Sequence, residues 1–234
     1  MVKSLQKMCE IAKIIGKNED ISEYEEGAIT AAYFNAFDDN FIMNVQGANS
    51  FAVDLGLGTE NTYKNMVSYY KKLGYYDTGI FATDIVTRLL FENGDIDLAI
   101  DLLTHDGDQG FEHWRKNGAT TFHEYWDSNR SRSHSHPMFG APVAYLFEYL
   151  LGIKQEDGSA GYKSLIIEPQ GISRFGRMSG SIETVQGVVA VSYKNNDGKV
   201  NFEITVPENT KAVFRYKNKE ITLTQGENKF EMSL

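Results

Sequence analysis

The spacing of apolar residues changes once along the 234-residue chain, and this change limits the possible folds more than any other feature. Up to about Gly152, apolar residues recur every three to four positions, which is the period of a helix. After Gly161 they fall in short β-branched runs with a period of two, which is typical of strands. We therefore predict a helical domain over residues 1–153 and a β domain over residues 162–234, with the stretch Lys154–Tyr162 between them.

The helical half divides into separate amphipathic segments. A first stripe runs from Leu5 to Ile15 and is followed by Gly16, a residue suited to a helix C-terminus. Ser22 and Glu25 have the spacing of a capping box, which predicts a helix from there toward Asp38. Further helices are predicted over residues 48–57, 59–73, 78–92, 95–104 and 139–151. The half is predicted to be all-helical, with too few helices to close a toroid, and it contains no repeat of solenoid period.

The second half consists of short runs separated by turn-forming residues. The runs with period two lie over residues 165–167, 188–191, 200–206, 212–216 and 221–223. Asn196–Gly198 and Pro207–Asn209 are typical turn sequences between such runs. A string of antiparallel strands is therefore predicted, arranged as a small β-sandwich.

Composition excludes several classes of partner. The net charge is -9, so the chain offers no basic surface for nucleic acid. The longest apolar run, Gly140–Ile153, contains Glu148 and is shorter than the roughly 20 residues of a membrane span, so no membrane partner is expected. Cys9 is the only cysteine, which excludes an internal disulfide. With no features of a signal peptide, a cytoplasmic location is the expectation.

Chemistry-bearing residues are concentrated in one stretch of the chain. All five histidines and both tryptophans lie between His105 and His136, in a poorly periodic sequence. The same stretch holds five carboxylates: Asp106, Asp108, Glu112, Glu124 and Asp127. Aromatic faces pack against sugar rings, while carboxylates and imidazoles bond hydroxyl groups, so this composition indicates a carbohydrate cleft.

From the residues alone, several interpretations of this stretch stay open. Glu124, flanked by aromatic residues that would partly desolvate it, could act as a base that deprotonates water. His134 and His136, with His123 or His113, could instead form a zinc site. The structural alternatives are a core position for the tryptophans, a turn-forming role for the aspartates around Gly107, and a capping role for His136.

Seven motifs, spread over most of the chain, resemble those of one known family. They are Tyr76–Thr83, Gly118–Trp126, Ser135–Gly140, Tyr149–Ile153, Gly161–Pro169, Val185–Gly187 and Val206–Thr210. In order and spacing, they are similar to motifs of the glycoside hydrolase family 78 α-L-rhamnosidases. The resemblance implies part of an (α/α)6 toroid followed by a small antiparallel β-sandwich, and removal of terminal α-L-rhamnose with inversion.

The resemblance also implies roles for individual residues. Glu124 falls on the general base, His136 falls on a sugar-binding position, and Trp126 is expected to form a wall of the same pocket. Trp114 and His123 are further expected substrate-binding residues. The expected partner is a rhamnose-containing oligosaccharide or glycoside, and neither a cofactor nor a metal is expected.

The sequence departs from the family pattern in three places. His123 and Tyr125 stand where members have Trp and Arg, and Ser135 stands where members have Asn. The family's acid-bearing segment, of the type Asp-Glu-Arg-x-Gly-Trp-x-Gly-Asp, does not occur in the sequence. We therefore expect a C-terminal portion that carries the base without the acid. Its inner face would be covered by self-association or by the missing N-terminal portion of the enzyme. The alternative is a non-catalytic carbohydrate-binding or interaction module derived from such an enzyme.

Overall fold

A computed structural model describes residues 2–17, 34–42 and 45–234 of the protein. These residues form two compact units. The first unit comprises the described residues of 1–93 together with Asp101–Phe139. The second comprises Gly94–Ile100 and Gly140–Leu234.

Helices make up most of the first unit. They are α1 (Val2–Ile15), α2 (Gln46–Asp54), α3 (Glu60–Leu73), α4 (Ile80–Glu92) and α6 (Phe111–Lys116), while α5 (Ile96–Leu103) spans the boundary between the units. The predicted helices 59–73, 78–92 and 95–104 are confirmed to within two residues at each end. The start of α3 is fixed by Thr59, whose hydroxyl accepts the backbone N–H of Thr62 while the Thr62 hydroxyl accepts that of Thr59. This reciprocal cap satisfies two backbone groups that have no partner within the helix.

The predicted helix from Ser22 toward Asp38 is wrong at its C-terminal end. Residues 34–41 form a small hairpin of β1 (Phe34–Asn35) and β2 (Asn40–Phe41), while residues 18–33 lie outside the described part of the chain. The side chain of Asn35 accepts the backbone N–H of Phe37, and such a bond favours a turn over a helix. On the other strand, the buried Asn49 side chain accepts the Phe41 N–H at 2.7 Å.

Two further helical predictions need correction. Helix α6 lies in a stretch predicted to be loop-like, because a helix of six residues is too short to show a clear period. The predicted single helix over residues 139–151 is instead a 3₁₀ turn at Pro137–Gly140, a short α-helix α7 at Pro142–Tyr145 and a π-helical turn at Leu146–Leu150. Within the described ranges, none of the helices is both long and apolar enough to cross a membrane.

The second unit contains two four-stranded sheets. One has the strand order β10 (Gly226–Ser233), β7 (Lys199–Val206), β6 (Gly187–Asn196) and β5 (Arg177–Thr184), and all of its pairs are antiparallel. The other has the order β3 (Ile153–Gln155), β4 (Ser164–Ile167), β8 (Lys211–Tyr216) and β9 (Lys219–Leu223). Its central pair, β4 with β8, is parallel, so the prediction of purely antiparallel strands is wrong at this pair. The short helix α8 (Ile172–Phe175) precedes β5.

The inner faces of the two sheets share one apolar core. Strand β6 contributes Val189, Val191 and Tyr193, and β7 contributes Val200, Phe202, Ile204 and Val206. The other sheet contributes Ile153, Leu165, Ile167, Ala212, Phe214 and Leu223. Alternate residues of each strand point into the space between the sheets, which is the packing of a β-sandwich.

Candidate functional site

The predicted site lies in a loop whose two ends run antiparallel to each other. The backbone N–H of His136 donates to the Phe122 carbonyl at 2.7 Å, and that of Glu124 donates to the Ser133 carbonyl at 3.0 Å. The hydroxyl of Thr121 also donates to the His134 carbonyl. These bonds join the two ends of residues 121–136, which we name the Glu124 loop.

Glu124 is half-buried, and its carboxylate is held by the opposite side of this loop. Its Oε2 atom accepts the backbone N–H groups of Arg132 and Ser133, both at 3.2 Å. Two backbone donors on one oxygen fix the orientation of the carboxylate. Both of these bonds use Oε2, and none of the described residues bonds Oε1, which leaves that oxygen for a reacting group.

The tryptophans expected to bind substrate lie in an aromatic cluster. The Trp126 indole stacks on Tyr76 with ring centroids 6.1 Å apart and on Trp114 at 5.0 Å. Phe111 and Phe139 contact both indoles. Trp114 is only 3% exposed, whereas Trp126 is partly exposed. In this arrangement Trp126, rather than Trp114, has surface available for a ligand.

Hydrogen bonds fix both indole rings. The Trp126 indole N–H donates to the Thr78 carbonyl at 2.7 Å, and the Trp114 indole N–H donates to the Trp126 carbonyl at 2.9 Å. Trp126 therefore anchors the Glu124 loop to the segment before α4, and Trp114 anchors it to α6. Buried indoles need such partners, because an unsatisfied N–H is costly.

His123 is buried at 8% exposure, and it pairs with a second histidine. Its ring stacks on that of His134 with centroids 4.2 Å apart and planes within 17° of parallel. Its Nδ1 atom shares a hydrogen bond of 2.8 Å with the Ser128 hydroxyl. Burial lowers the pKa of His123, and the neighbouring His134 lowers that pKa further.

His136 presents a buried nitrogen that has no partner among the described residues. Its Nε2 atom lacks both solvent contact and a hydrogen bond. Buried ring nitrogens are normally paired, so a lone one indicates a place for a further donor or acceptor. The backbone N–H of the same residue is bonded within the loop, so His136 is held in position at its main chain.

An open cleft of about 590 Å³ lies beside the Glu124 loop. Its lining consists of Asp108, Gln109, His113, Asn117, Trp126, Asp127, Ser128 and Asn129. Carboxylate, amide, hydroxyl and imidazole groups of this kind suit a polar, neutral ligand. The cleft brings Trp126 together with polar residues from before, within and directly after α6, whereas Glu124, His123 and His136 are not part of its lining.

The amides in this lining were not predicted from the sequence. Gln109, Asn117 and Asn129 carry no pattern that separates them from ordinary loop residues. Asp127 was noted only as a member of the carboxylate-rich stretch, and Asp108 was also considered as a turn former beside Gly107. In the structure, Asp127 accepts the Asn129 N–H at 3.0 Å, and Asp108 lies 3.6 Å from His113.

The described residues show no group of three or more His, Cys, Asp or Glu side chains arranged to hold a metal ion. The histidines considered for zinc are used differently. His123 and His134 face each other through their ring planes, whereas metal ligands point ring nitrogens at a shared centre.

Comparison with known sequences shows what the chain is similar to. Residues 1–150 match the bacterial alpha-L-rhamnosidase 6 hairpin glycosidase domain, and residues 152–231 match the bacterial alpha-L-rhamnosidase C-terminal domain. An alpha-L-rhamnosidase of Formosa agariphila is 27% identical over 83% of this chain and 23% of its own length. One from Alteromonas sp. is 28% identical over 86% of this chain and 24% of its own length. The chain thus spans about a quarter of the length of these relatives.

Solved structures show the same fold. The alpha-L-rhamnosidase of Streptomyces avermitilis, complexed with L-rhamnose, aligns with 99% of this chain and 26% of its own at a TM-score of 0.83. That of Aspergillus terreus aligns with 98% of this chain and 29% of its own at a TM-score of 0.82. Both are 19% identical to this chain. The predicted fold class, helices of a six-hairpin toroid followed by a β-sandwich, is confirmed.

Proposed function

Because the chain belongs to the bacterial alpha-L-rhamnosidase family, we propose that it forms the base-bearing portion of an inverting glycoside hydrolase that releases terminal α-L-rhamnose. The observation that carries the proposal is the fixed carboxylate of Glu124, held by two backbone N–H groups on Oε2. A base that activates water needs one oxygen fixed and the other free to bond the water, and we assign the second role to Oε1.

An inverting mechanism divides the chemistry between two carboxyl groups. One protonates the leaving oxygen, and the other activates water on the opposite face of the sugar, with the two roughly 6.5–9.5 Å apart. We assign the second role to Glu124. The acid would come from a segment outside these 234 residues, since the family's acid-bearing motif does not occur in them. Loss of general acid catalysis commonly costs about 10² to 10⁴ in rate, so the chain by itself should turn over slowly.

Substrate binding is assigned to residues of the same unit. His136 is assigned to sugar binding by the family resemblance, and its buried Nε2 atom has no partner in the described residues. Trp126 would contribute its exposed edge, and the polar cleft beside it would accept the rest of the glycoside. His123 and Trp114, being buried, would support these groups from behind.

The test is hydrolysis of an aryl α-L-rhamnoside by the purified chain, with and without an added upstream portion of a family member. We expect slow turnover alone and faster turnover on addition. Both rates should fall by about 10² or more in Glu124→Gln. Glu112→Gln is the matched control, because Glu112 is also a glutamate of the same unit but pairs with Arg115 at the surface. Full activity in Glu124→Gln would refute the assignment of the base.

A second candidate function is a non-catalytic carbohydrate-binding module. The polar cleft favours it, because Glu124 does not contribute to its lining. In that case rhamnosides would bind with equal affinity to wild type and Glu124→Gln, and turnover would stay absent after the upstream portion is added. Binding would instead weaken in Asn129→Ala, which alters the cleft alone.

A further inference from the structure

Ser128 connects two histidines that lie on opposite sides of the Glu124 loop. Its hydroxyl bonds Nδ1 of His123 at 2.8 Å, and its carbonyl lies 3.2 Å from Nε2 of His134. The two rings stack at 4.2 Å. The tip of the loop, which carries Ser128, is thereby tied to both of its antiparallel ends.

The same two ends carry the groups that hold Glu124. His123 directly precedes Glu124, and His134 directly follows Ser133. Ser133 bonds Glu124 twice, through its N–H to Oε2 and through its carbonyl to the Glu124 N–H. A displacement of His123 therefore moves Glu124 itself, and a displacement of His134 moves Ser133, which bonds the Glu124 carboxylate.

Two positive charges on the stacked pair would repel each other, because the ring centroids are only 4.2 Å apart. A neutral His134 can donate from Nε2 to the Ser128 carbonyl while His123 bonds the Ser128 hydroxyl, so neutral rings satisfy the whole cluster.

In the part of the chain that the structure describes, no carboxylate forms an ion pair with either ring of the pair. From α6, the group against His123 is the uncharged ring of Trp114, with centroids 5.3 Å apart. The charged residues of α6 have other partners: Glu112 pairs with Arg115, Lys116 pairs with Asp106, and His113 lies near Asp108. Within the loop, Oε2 of Glu124 bonds the backbone N–H groups of Arg132 and Ser133 rather than either imidazole.

We propose that His123, His134 and Ser128 are positioning residues that hold the Glu124 carboxylate in place only while the two stacked imidazoles do not both carry a proton. The effect on catalysis rests on the proposed function, whereas the positioning of the Glu124 carboxylate does not. Acidification would separate the rings, release Ser128 and loosen the bonds from Arg132 and Ser133 to Glu124.

The experiment follows the loop directly by NMR and needs no substrate. The ring signals of the five histidines give their titrations, and the amide signals of Arg132 and Ser133 report their bonds to Glu124. We expect both amides to shift with the same midpoint as the histidine pair. In His134→Phe, which keeps a stacked ring without its charge, that transition should vanish. His105→Phe is the matched control, because His105 stacks on Tyr75 outside the loop, and it should keep the transition.

A second variant keeps the proposal testable if His134→Phe does not fold. In Ser128→Ala the two rings lose their shared hydroxyl, and hydrogen exchange at the Arg132 and Ser133 amides should accelerate about fivefold or more at neutral pH. Amides that do not follow the histidine titration, a transition that persists in His134→Phe, or unchanged exchange in Ser128→Ala would each overturn the proposal. A chain that shows the transition but never hydrolyses a rhamnoside would overturn only the proposed function.

Discussion

Gly152, at the entry to the β-sandwich, offers a sharp test of the packing described for the second unit. Its backbone is left-handed, with φ of 75°. A Cβ atom placed there would lie 2.2 Å from the carbonyl carbon of Glu168 and 2.3 Å from the nitrogen of Pro169. Both are main-chain atoms, so the clash cannot be relieved by a side-chain rotation. Relief would break the bond from the Glu168 N–H to the Gly152 carbonyl, which is 2.9 Å long.

The expected loss of stability in Gly152→Ala is the sum of three effects. A non-glycine residue in the left-handed region costs about 1–2 kcal/mol, overpacking adds about 1–3 kcal/mol, and loss of one hydrogen bond adds about 1 kcal/mol. We expect Gly152→Ala to lower the free energy of unfolding by about 3 kcal/mol or more. Gly158→Ala is the matched control, because Gly158 has φ of 77° and its added Cβ would meet nothing within 4 Å. It should cost only the backbone strain, about 1 kcal/mol.

The assay is urea unfolding of each variant, followed through NMR signals of the sandwich core. The difference between the two alanine variants isolates the contact with Glu168 and Pro169, because both share the left-handed backbone. Equal losses of stability in the two variants would refute the close approach of the two main-chain segments.

Three further predictions concern both units. Trp126→Phe should lose the hydrogen bond to the Thr78 carbonyl and lower the free energy of unfolding by about 1 kcal/mol or more, measured by urea unfolding with the remaining tryptophan as reporter. The folded pKa of His123 lies below its unfolded value of about 6.5, so protonation of this ring favours the unfolded state. The contribution of the neutral ring to stability should therefore be complete above that pH and be lost as pH falls through the folded pKa. Between pH 7.5 and pH 5.5, the free energy of unfolding should therefore fall further in the wild type than in His123→Phe. Phe202→Ala should cost about 3–5 kcal/mol, since Phe202 is almost fully buried between the sheets, and a loss below about 1 kcal/mol would contradict that position.

Strands could be predicted where alternate side chains are buried, because the apolar residues of the sequence then recur with a period of two. The alternation in Lys199–Val206 is complete, because every second side chain of that strand is buried. Strand β5 pairs along its whole length, yet none of its side chains is fully buried, so its sequence carries little apolar alternation and it was missed. Strand β10 was missed for the same reason, since Met232 is its only fully buried residue.

The site could be predicted in its composition but not in its contacts. The resemblance assigned the base to Glu124, and the concentration of histidines and tryptophans indicated the stretch His105–His136; both assignments stay predictions. The partners of Glu124 are backbone N–H groups eight and nine residues further on, and their position depends on loop geometry that no residue pattern encodes. The stacking of His123 on His134 was equally invisible, because it depends on how Ser128 folds back between them.

The parallel pairing of β4 with β8 has a consequence for the order of events in folding. Leu165 of β4 lies opposite Ala212 of β8, so more than forty residues must be synthesised between the two partners. Contacts of such separation form late and slow folding, because the intervening chain must be ordered first. During synthesis, β3 and β4 therefore emerge as an apolar two-stranded ribbon without a third strand. Until Tyr216 has left the ribosome, that ribbon lacks the strand that pairs with it, and a two-stranded apolar ribbon is prone to aggregation.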